Sequence, residues 1–222
     1  MRILPVKGYQ NVYTSNVYFL LGEWKRIEDV HTLIDVGNDP SLLTVLESIN
    51  TGVGKNKVDQ VILTHNHSDH SGILPQIRDR YHPKVCSFSR FANGVDHVLR
   101  NGQKIRVGET ELEVIHTPGH TNDSICLLNE AAGVLFTGDA QLTALSLDGT
   151  YEPGFCEALK TLSNRKIHTL YPGHGKPLAG DMSALIYDSW RRTRDSRRAI
   201  DSEDSVREEI AQSQPFYYAL DK

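Results

Sequence analysis

Cysteine is scarce in this chain of 222 residues. Cys86, Cys126 and Cys156 are its only three, odd in number and without the paired spacing of a disulfide framework or a thiolate zinc site. A secreted, disulfide-stapled design is therefore not expected, and a reducing cytoplasm is the natural location. The length is enough to bury a core without such staples. Long apolar runs are lacking too, and none approaches the roughly 20 residues of a membrane-spanning helix. The opening segment MRILPVKGYQN lacks the basic-then-apolar pattern of a secretory leader and reads as a first strand. Excess positive charge is also missing: 24 Lys and Arg stand against 28 Asp and Glu, a net charge of -4. Broad electrostatic capture of nucleic acid is therefore disfavoured, which leaves a local basic groove as its only route. The remaining composition is that of an ordinary globular protein, and one domain over residues 1–222 is expected.

Histidine and aspartate are what the sequence has, in a telling arrangement. Five of the ten histidines fall in His65-Asn66-His67-Ser68-Asp69-His70, Gly119-His120-Thr121 and Pro172-Gly173-His174, with Gly138-Asp139 between the last two. Each follows an apolar, β-branched run of strand character: Val58–Thr64 before His65, Leu112–Thr117 before His120, Val134–Thr137 before Asp139 and His168–Tyr171 before His174. Further strands are expected over Val12–Leu21, His31–Val36, Lys84–Ser89 and Ser124–Leu128. Helices are expected over Ser41–Asn50 (with Pro40 in its first turn), Ser71–Tyr81, Phe155–Leu162 and the charged stretch 181–211. Strand end, tight loop, then ligand is how an α/β scaffold presents a site.

Imidazole and carboxylate donors in this density suit a metal centre of zinc, iron or manganese. His65 and His67, two apart at a strand end, can converge on one ion, and His120 after a Pro-Gly turn completes a three-imidazole set. Asp69 and His70 turn toward a second ion, which His174, between two glycines, can reach. Asp139 would bridge the two, since a carboxylate offsets the repulsion of two cations as imidazole cannot. Two ions about 3.5–4 Å apart would share a hydroxide nucleophile. Asp69 would orient that hydroxide or handle its proton as well as ligate. His116 is the best placed of the remaining histidines to support a ligand from behind. His31 and His168 read as structural or surface residues, His82 and His97 as facing water, and Cys86 and Cys126 as core.

These motifs resemble those of the metallo-β-lactamase superfamily. The pattern H-x-H-x-D-H at His65–His70 continues in order with Gly119-His120-Thr121, Thr137-Gly138-Asp139 and Pro172-Gly173-His174-Gly175. The early Asp35-Val36-Gly37 is similar to the family's turn that supports the site. The resemblance implies an αββα sandwich, two mixed sheets face to face with helices outside and the metals along one edge. Departures within the family narrow the activity. Zinc β-lactamases commonly carry cysteine where Asp139 stands, and the flavodiiron branch has glutamate in place of His67. Glyoxalase II-like thioesterases share all seven ligands but have a longer helical C-terminal part than the residues after Gly175 provide. The resemblance is to the small β-lactamase-like, glyoxalase II-like hydrolases. It implies a binuclear, zinc-type enzyme, with iron or manganese as alternatives, that cleaves a small ester, thioester or lactone. A phosphodiesterase or endoribonuclease of the same fold is the alternative, followed by a persulfide dioxygenase with a single iron. A small acyl substrate is the expected partner, with no membrane and with a homodimer left open. Substrate choice is assigned to the loops Phe88–Asn93 and Gln141–Pro153.

Overall fold

The computed structural model describes residues 1–24, 26–52, 54–92, 94–142 and 151–194. Among them, alternation of side chains along the strands sets the architecture. In the first sheet β1 (Arg2–Val6), β2 (Val17–Leu21), β3 (Thr32–Ile34), β4 (Gln60–Ile62), β5 (Lys84–Ser87) and β6 (His97–Val98) lie in that order. In the second, β7 (Lys104–Val107), β8 (Thr110–His116), β9 (Ile125–Asn129), β10 (Val134–Gly138), β11 (Thr169–Pro172) and β12 (Leu178–Ala179) do the same. Both sheets are mixed. The β3–β4–β5–β6 ladders and the β10–β11 ladder are parallel and the others antiparallel.

Because successive strand residues point to opposite faces, each fully buried strand feeds two cores. On β2, Tyr18 and Leu20 face a layer shared with Leu127 of β9 and Phe136 of β10, so this layer lies between the sheets. Val17, Phe19 and Leu21 face the other way, onto α1 (Leu42–Ser48) and α3 (Leu74–Tyr81) through Leu42, Leu46, Leu74 and Ile77. On the far side, Cys126, Leu128 and Leu135 pack on α4 (Pro153–Ser163). That helix buries Phe155, Ala158, Leu159 and Leu162, the i, i+3, i+4, i+7 stripe of an amphipathic helix. Met182 and Ile186, from the helix over residues 182–194, extend the same core. Three apolar layers between four layers of elements make an αββα sandwich.

Several boundaries differ from the sequence expectations. The strand anticipated at Val12 begins only at Val17, because Ser15 and Asn16 donate their backbone N–H groups to the Asp69 and Gly173 carbonyls of the loops opposite rather than to β1. The helix anticipated over Ser71–Tyr81 is divided: α2 (Ser68–Ser71) holds Asp69 and His70, and Gly72-Ile73 separates it from α3. Pro40 lies outside α1, whose cap is Ser41. His97, expected to face water, sits half-buried in β6 and bonds Gln103. His168 is exposed just before β11 as expected, but the short hairpin strand β12 follows. Of the helix anticipated over 181–211, residues 195–211 lie outside the described chain, as do Asn93 and residues 143–150 of the two loops assigned to substrate choice. No helix among the described residues is long and apolar enough to cross a membrane.

Candidate metal centre

Strand direction brings the site together. β3 and β4 run parallel, so both deliver their C-terminal ends, Asp35 and His65, to one edge of the sandwich. Two antiparallel steps, β8 to β9 and β9 to β10, make β8 run in the same sense as β10, and β11 is parallel to β10. His120, Asp139 and His174 therefore emerge together from the second sheet. The two edges are tied where they meet, with Ile125 N–H donating to the Thr64 carbonyl at 3.0 Å.

The floor of the site is a hydrogen-bonded unit around Asp35, which is 2% exposed and held at φ 56°, the left-handed region an aspartate tolerates better than most residues. Its Oδ1 accepts from the Thr64 backbone N–H at 2.8 Å. Its Oδ2 accepts from the Thr64 hydroxyl at 2.9 Å and from His70 Nδ1 at 2.7 Å. With the Thr64 proton engaged there, His65 Nδ1, 3.1 Å from Thr64 Oγ1, is assigned as the donor to that oxygen. One carboxylate thus engages the Nδ1 side of both rings, directly or through Thr64, and turns the Nε2 atoms of His65 and His70 into the site. Thr64 was not singled out from sequence. A threonine closing a strand carries no signal of this role.

Above the floor the donors converge. His67 Nδ1 lies 3.1 Å from His65 Nε2 and 3.0 Å from His120 Nε2. A tetrahedral zinc with bonds near 2.0–2.1 Å spaces its nitrogens by about 3.3 Å, so this triangle is of coordinating size. On the other side, Asp69 Oδ2 is 3.0 Å from His174 Nε2 and 3.7 Å from His70 Nε2. Asp139 stands between: Oδ1 is 3.3 Å from His70 Nε2, and Oδ2 is 3.5 Å from both His120 Nε2 and His174 Nε2. His65, His67 and His120 form one group able to hold a cation, and Asp69, His70 and His174 another. His65, His70 and Asp139 span the two.

Two buried atoms carry the test of fit. His70 Nε2 and Asp139 Oδ1 are both buried without a hydrogen-bond partner. A buried ring nitrogen and a buried carboxylate oxygen without partners are costly in a protein interior, and a cation satisfies both. The site's electrostatics point the same way. Burial pushes His65 down to about 4, and the neighbouring His70 adds to the effect. Burial also disfavours the His70 cation, but the Asp35 and Asp139 carboxylates outweigh it and raise His70 to about 10. His120 is lowered, mainly by burial. Asp139 is lowered despite burial by the approach and charge of His70. A centre that gathers this much opposing charge without a cation has the chemistry of a cation site.

The structure also corrects the reading of His116. Its ring stacks on Phe88 at 4.1 Å and 12°, and its Nε2 pairs with the Asn122 carbonyl at 2.8 Å. These contacts brace the loop that carries His120 and do not reach a ligand ring. Residues with no sequence signal surround the other side. Asn16 Nδ2 donates to the carbonyls of Pro172 and Gly175, both at 2.9 Å, and holds the loop that carries His174. Tyr13 stacks on His174 with centroids 5.2 Å apart. At Gly173 a Cβ would collide with the Asp139 carboxylate and the His70 ring, so only glycine lets this loop approach the centre. Beside the ligands a cavity of about 260 Å³ is lined by His120, Asp139, Gln141, Pro172 and His174, among others.

Comparison with known proteins gives the following. The model of the metallo-beta-lactamase superfamily matches residues 11–174. A Schizosaccharomyces pombe protein named as a probable hydroxyacylglutathione hydrolase is 30% identical over 182 residues, 78% of this chain and 68% of the relative. An atrochrysone carboxyl ACP thioesterase from Cryptosporiopsis sp. is 26% identical over 67% of this chain, which spans only 47% of that relative's length. Among solved structures, a metallo-beta-lactamase family protein from Thermus thermophilus superposes with a TM-score of 0.59 at 20% identity, covering 87% of this chain and 79% of the other. At that identity the likeness is one of fold.

Proposed function

From the premise that this chain belongs to the metallo-beta-lactamase superfamily, we propose that it is a binuclear metal-dependent hydrolase of small acyl thioesters. The observation that carries this reading is the pair of non-overlapping ligand groups, His65/His67/His120 and Asp69/His70/His174, with Asp139 within 3.5 Å of members of both. The names of the two relatives, a hydroxyacylglutathione hydrolase and an ACP thioesterase, favour the acyl–sulfur bond over the ester or lactone.

The first group would hold one divalent cation and the second group the other, with Asp139 shared; zinc suits these donors, as do iron and manganese. When bound, such ions supply a Lewis acid for the thioester carbonyl and bring the pKa of a water toward neutrality. Asp35, acting through Thr64 and His70, keeps the two inner rings in the coordinating tautomer. Asp69 Oδ2, beside His174 Nε2, is the carboxylate placed to take the proton of the attacking water and return it to the departing sulfur. A C–O bond forms and the C–S bond breaks, giving a carboxylic acid and a thiol.

The test has two parts. Protein purified without chelator should carry close to two equivalents of metal. In parallel assays of acyl thioesters, lactones, bis(p-nitrophenyl) phosphate, single-stranded RNA and glutathione persulfide, thioester turnover should dominate. Cleavage of RNA or phosphodiester with negligible acyl hydrolysis would replace this reading with a nuclease. A single metal with oxygen consumption on persulfide would replace it with a dioxygenase.

A further inference from the structure

We propose that Ser15, Asn16 and Tyr18, where β2 begins, form a staple that positions Asp69 and His174 together. The second ligand group then depends on this staple for its ion, and the His65/His67/His120 group does not. The inference rests on the binuclear reading above and deepens it.

The second group has a construction problem. Asp69 and His70 come from the first sheet, in α2, whereas His174 comes from the second, just beyond β11. His174 also stands between two glycines, and Gly175 lies at φ 84° with open space around it. Such a loop has many conformations to lose before its ring can ligate. On its own sheet the turn is tied by Gly173 N–H, which donates to the Gly138 carbonyl at 2.7 Å. The further ties cross from the first sheet. Asn16 N–H donates to the Gly173 carbonyl at 2.6 Å, and Asn16 Nδ2 to the carbonyls of Pro172 and Gly175, both at 2.9 Å. Only an amide nitrogen can serve two carbonyls, so the partners fix the orientation of the Asn16 side chain. The Tyr18 hydroxyl donates to the same Pro172 carbonyl at 2.7 Å. Its ring is buried, edge-on to Tyr171 and tilted against Phe136, so packing holds the donor in place.

The same few residues reach the other loop. Ser15 N–H donates to the Asp69 carbonyl at 3.0 Å. Ligand loops from opposite sheets are thus gripped by one short stretch of chain, and Asp69 Oδ2 and His174 Nε2 stand 3.0 Å apart. None of these bonds touches the first group. His65 is set by Thr64, and the loop of His120 by His116 with Asn122 and Phe88. The two ions therefore have separable supports. A loop ordered in advance spares the incoming ion the entropy of ordering it, so cutting the staple should weaken the second ion alone.

Zinc is titrated into the metal-free wild type, Asn16→Asp, Tyr18→Phe and Tyr81→Phe against a chromogenic chelator. Asn16→Asp keeps the shape but sets an oxygen where the donating nitrogen faced two carbonyls. Tyr81→Phe is the control, since its hydroxyl bonds Glu47 instead. Amide hydrogen exchange of Gly173 is followed in the same metal-free proteins. Val114, whose N–H donates to the Gln103 carbonyl, is the reference. The wild type should take two equivalents. Asn16→Asp should weaken the second about 10–100-fold and leave the first unchanged. Its Gly173 exchange should quicken about tenfold with Val114 unaltered. Tyr18→Phe should act in the same direction by about threefold to tenfold, because Asn16 still serves the Pro172 carbonyl. Tyr81→Phe should change nothing. Two equivalents weakened alike, Gly173 and Val114 quickened together, or no change in either staple variant would overturn the proposal. A wild type that never exceeds one equivalent would end the binuclear reading by itself. The exchange data would still decide the staple, with Gly173 quickened alone in Asn16→Asp supporting it and an unchanged Gly173 overturning it.

Discussion

The centre has a floor and a rim, and they are held by different means. The floor is Asp35, Thr64, His65 and His70, all at most 2% exposed and joined by side-chain hydrogen bonds at the ends of β3 and β4. The rim is His67, His120 and His174, on loops. The His120 and His174 side chains are 30% and 34% exposed, with ring nitrogens that meet only one another or a carboxylate of the site. The floor rings are held by hydrogen bonds to their own nitrogens, whereas the rim rings are placed through the loops that carry them, by Asn16 on one side and the His116–Phe88 stack on the other. The lesson is that one ring in each ligand group is fixed at its own nitrogen, and both of those rings depend on a single carboxylate.

The most severe way to break this contrast is to remove the carboxylate that lies within 3.5 Å of rings in both parts. Asp139→Ala should abolish turnover and lower metal content at both positions, read by elemental analysis and kcat. Near-normal activity with both metals retained would end the bridging assignment. Next in size is the floor itself. Asp35→Asn keeps the shape but offers one oxygen to three donors, so the coordinating tautomers of His65 and His70 are no longer enforced. A loss of about 10–100-fold in metal affinity is expected, measured by competition with a chromogenic chelator. An unchanged affinity would mean that the floor is not preorganised by Asp35.

A gentler probe separates the two floor histidines by pH. In the metal-free protein His70 is raised to about 10 and is protonated at neutral pH, while His65, lowered to about 4, is not. Metal uptake at the His70 group must therefore displace a proton, and its affinity should fall by up to tenfold per pH unit below about 10. Calorimetry in buffers of different ionisation enthalpy should register that proton. The same shifts act on stability. The contribution of His70, whose folded value is raised from 6.5, is fully present below about 6.5 and fades as pH rises through about 10. That of His65 runs the other way, present above 6.5 and lost as pH falls through about 4. The smallest effect is expected at the rim. His116→Ala removes a brace of the His120 loop but no ligand, so metal content should be retained and kcat/KM should fall by no more than a few-fold. A loss comparable with that of Asp139→Ala would make His116 part of the centre after all.

Much of this was legible beforehand, for identifiable reasons. The strand before each ligand is a short apolar run with a glycine or a tight loop behind it, and such patterns act locally. The amphipathic stripe of α4 was equally plain. What escaped was non-local. Thr64 reads as the last residue of a strand, Asn16 as a polar residue in a connection and Tyr13 as part of an aromatic strand. Their roles exist only because β2, β3 and β11 meet at one edge. The boundary at Val17 was missed for the same reason, since the aromatic and β-branched strand character around Val12 was overridden by hydrogen bonds from Ser15 and Asn16 to loops more than 50 residues away.

The sequence by itself determined the candidate donors and their order, because imidazole and carboxylate chemistry is carried by residue type and the strand-end loops by local pattern. It also determined the period-2 burial that builds three apolar layers. Only the tertiary structure decided which donors share an ion-sized space, which tautomer each inner ring adopts and which aromatic ring looks onto the site. Those depend on distances of about 3 Å between residues up to 159 positions apart, and hydrogen bonds of that length are set by how two sheets close on each other.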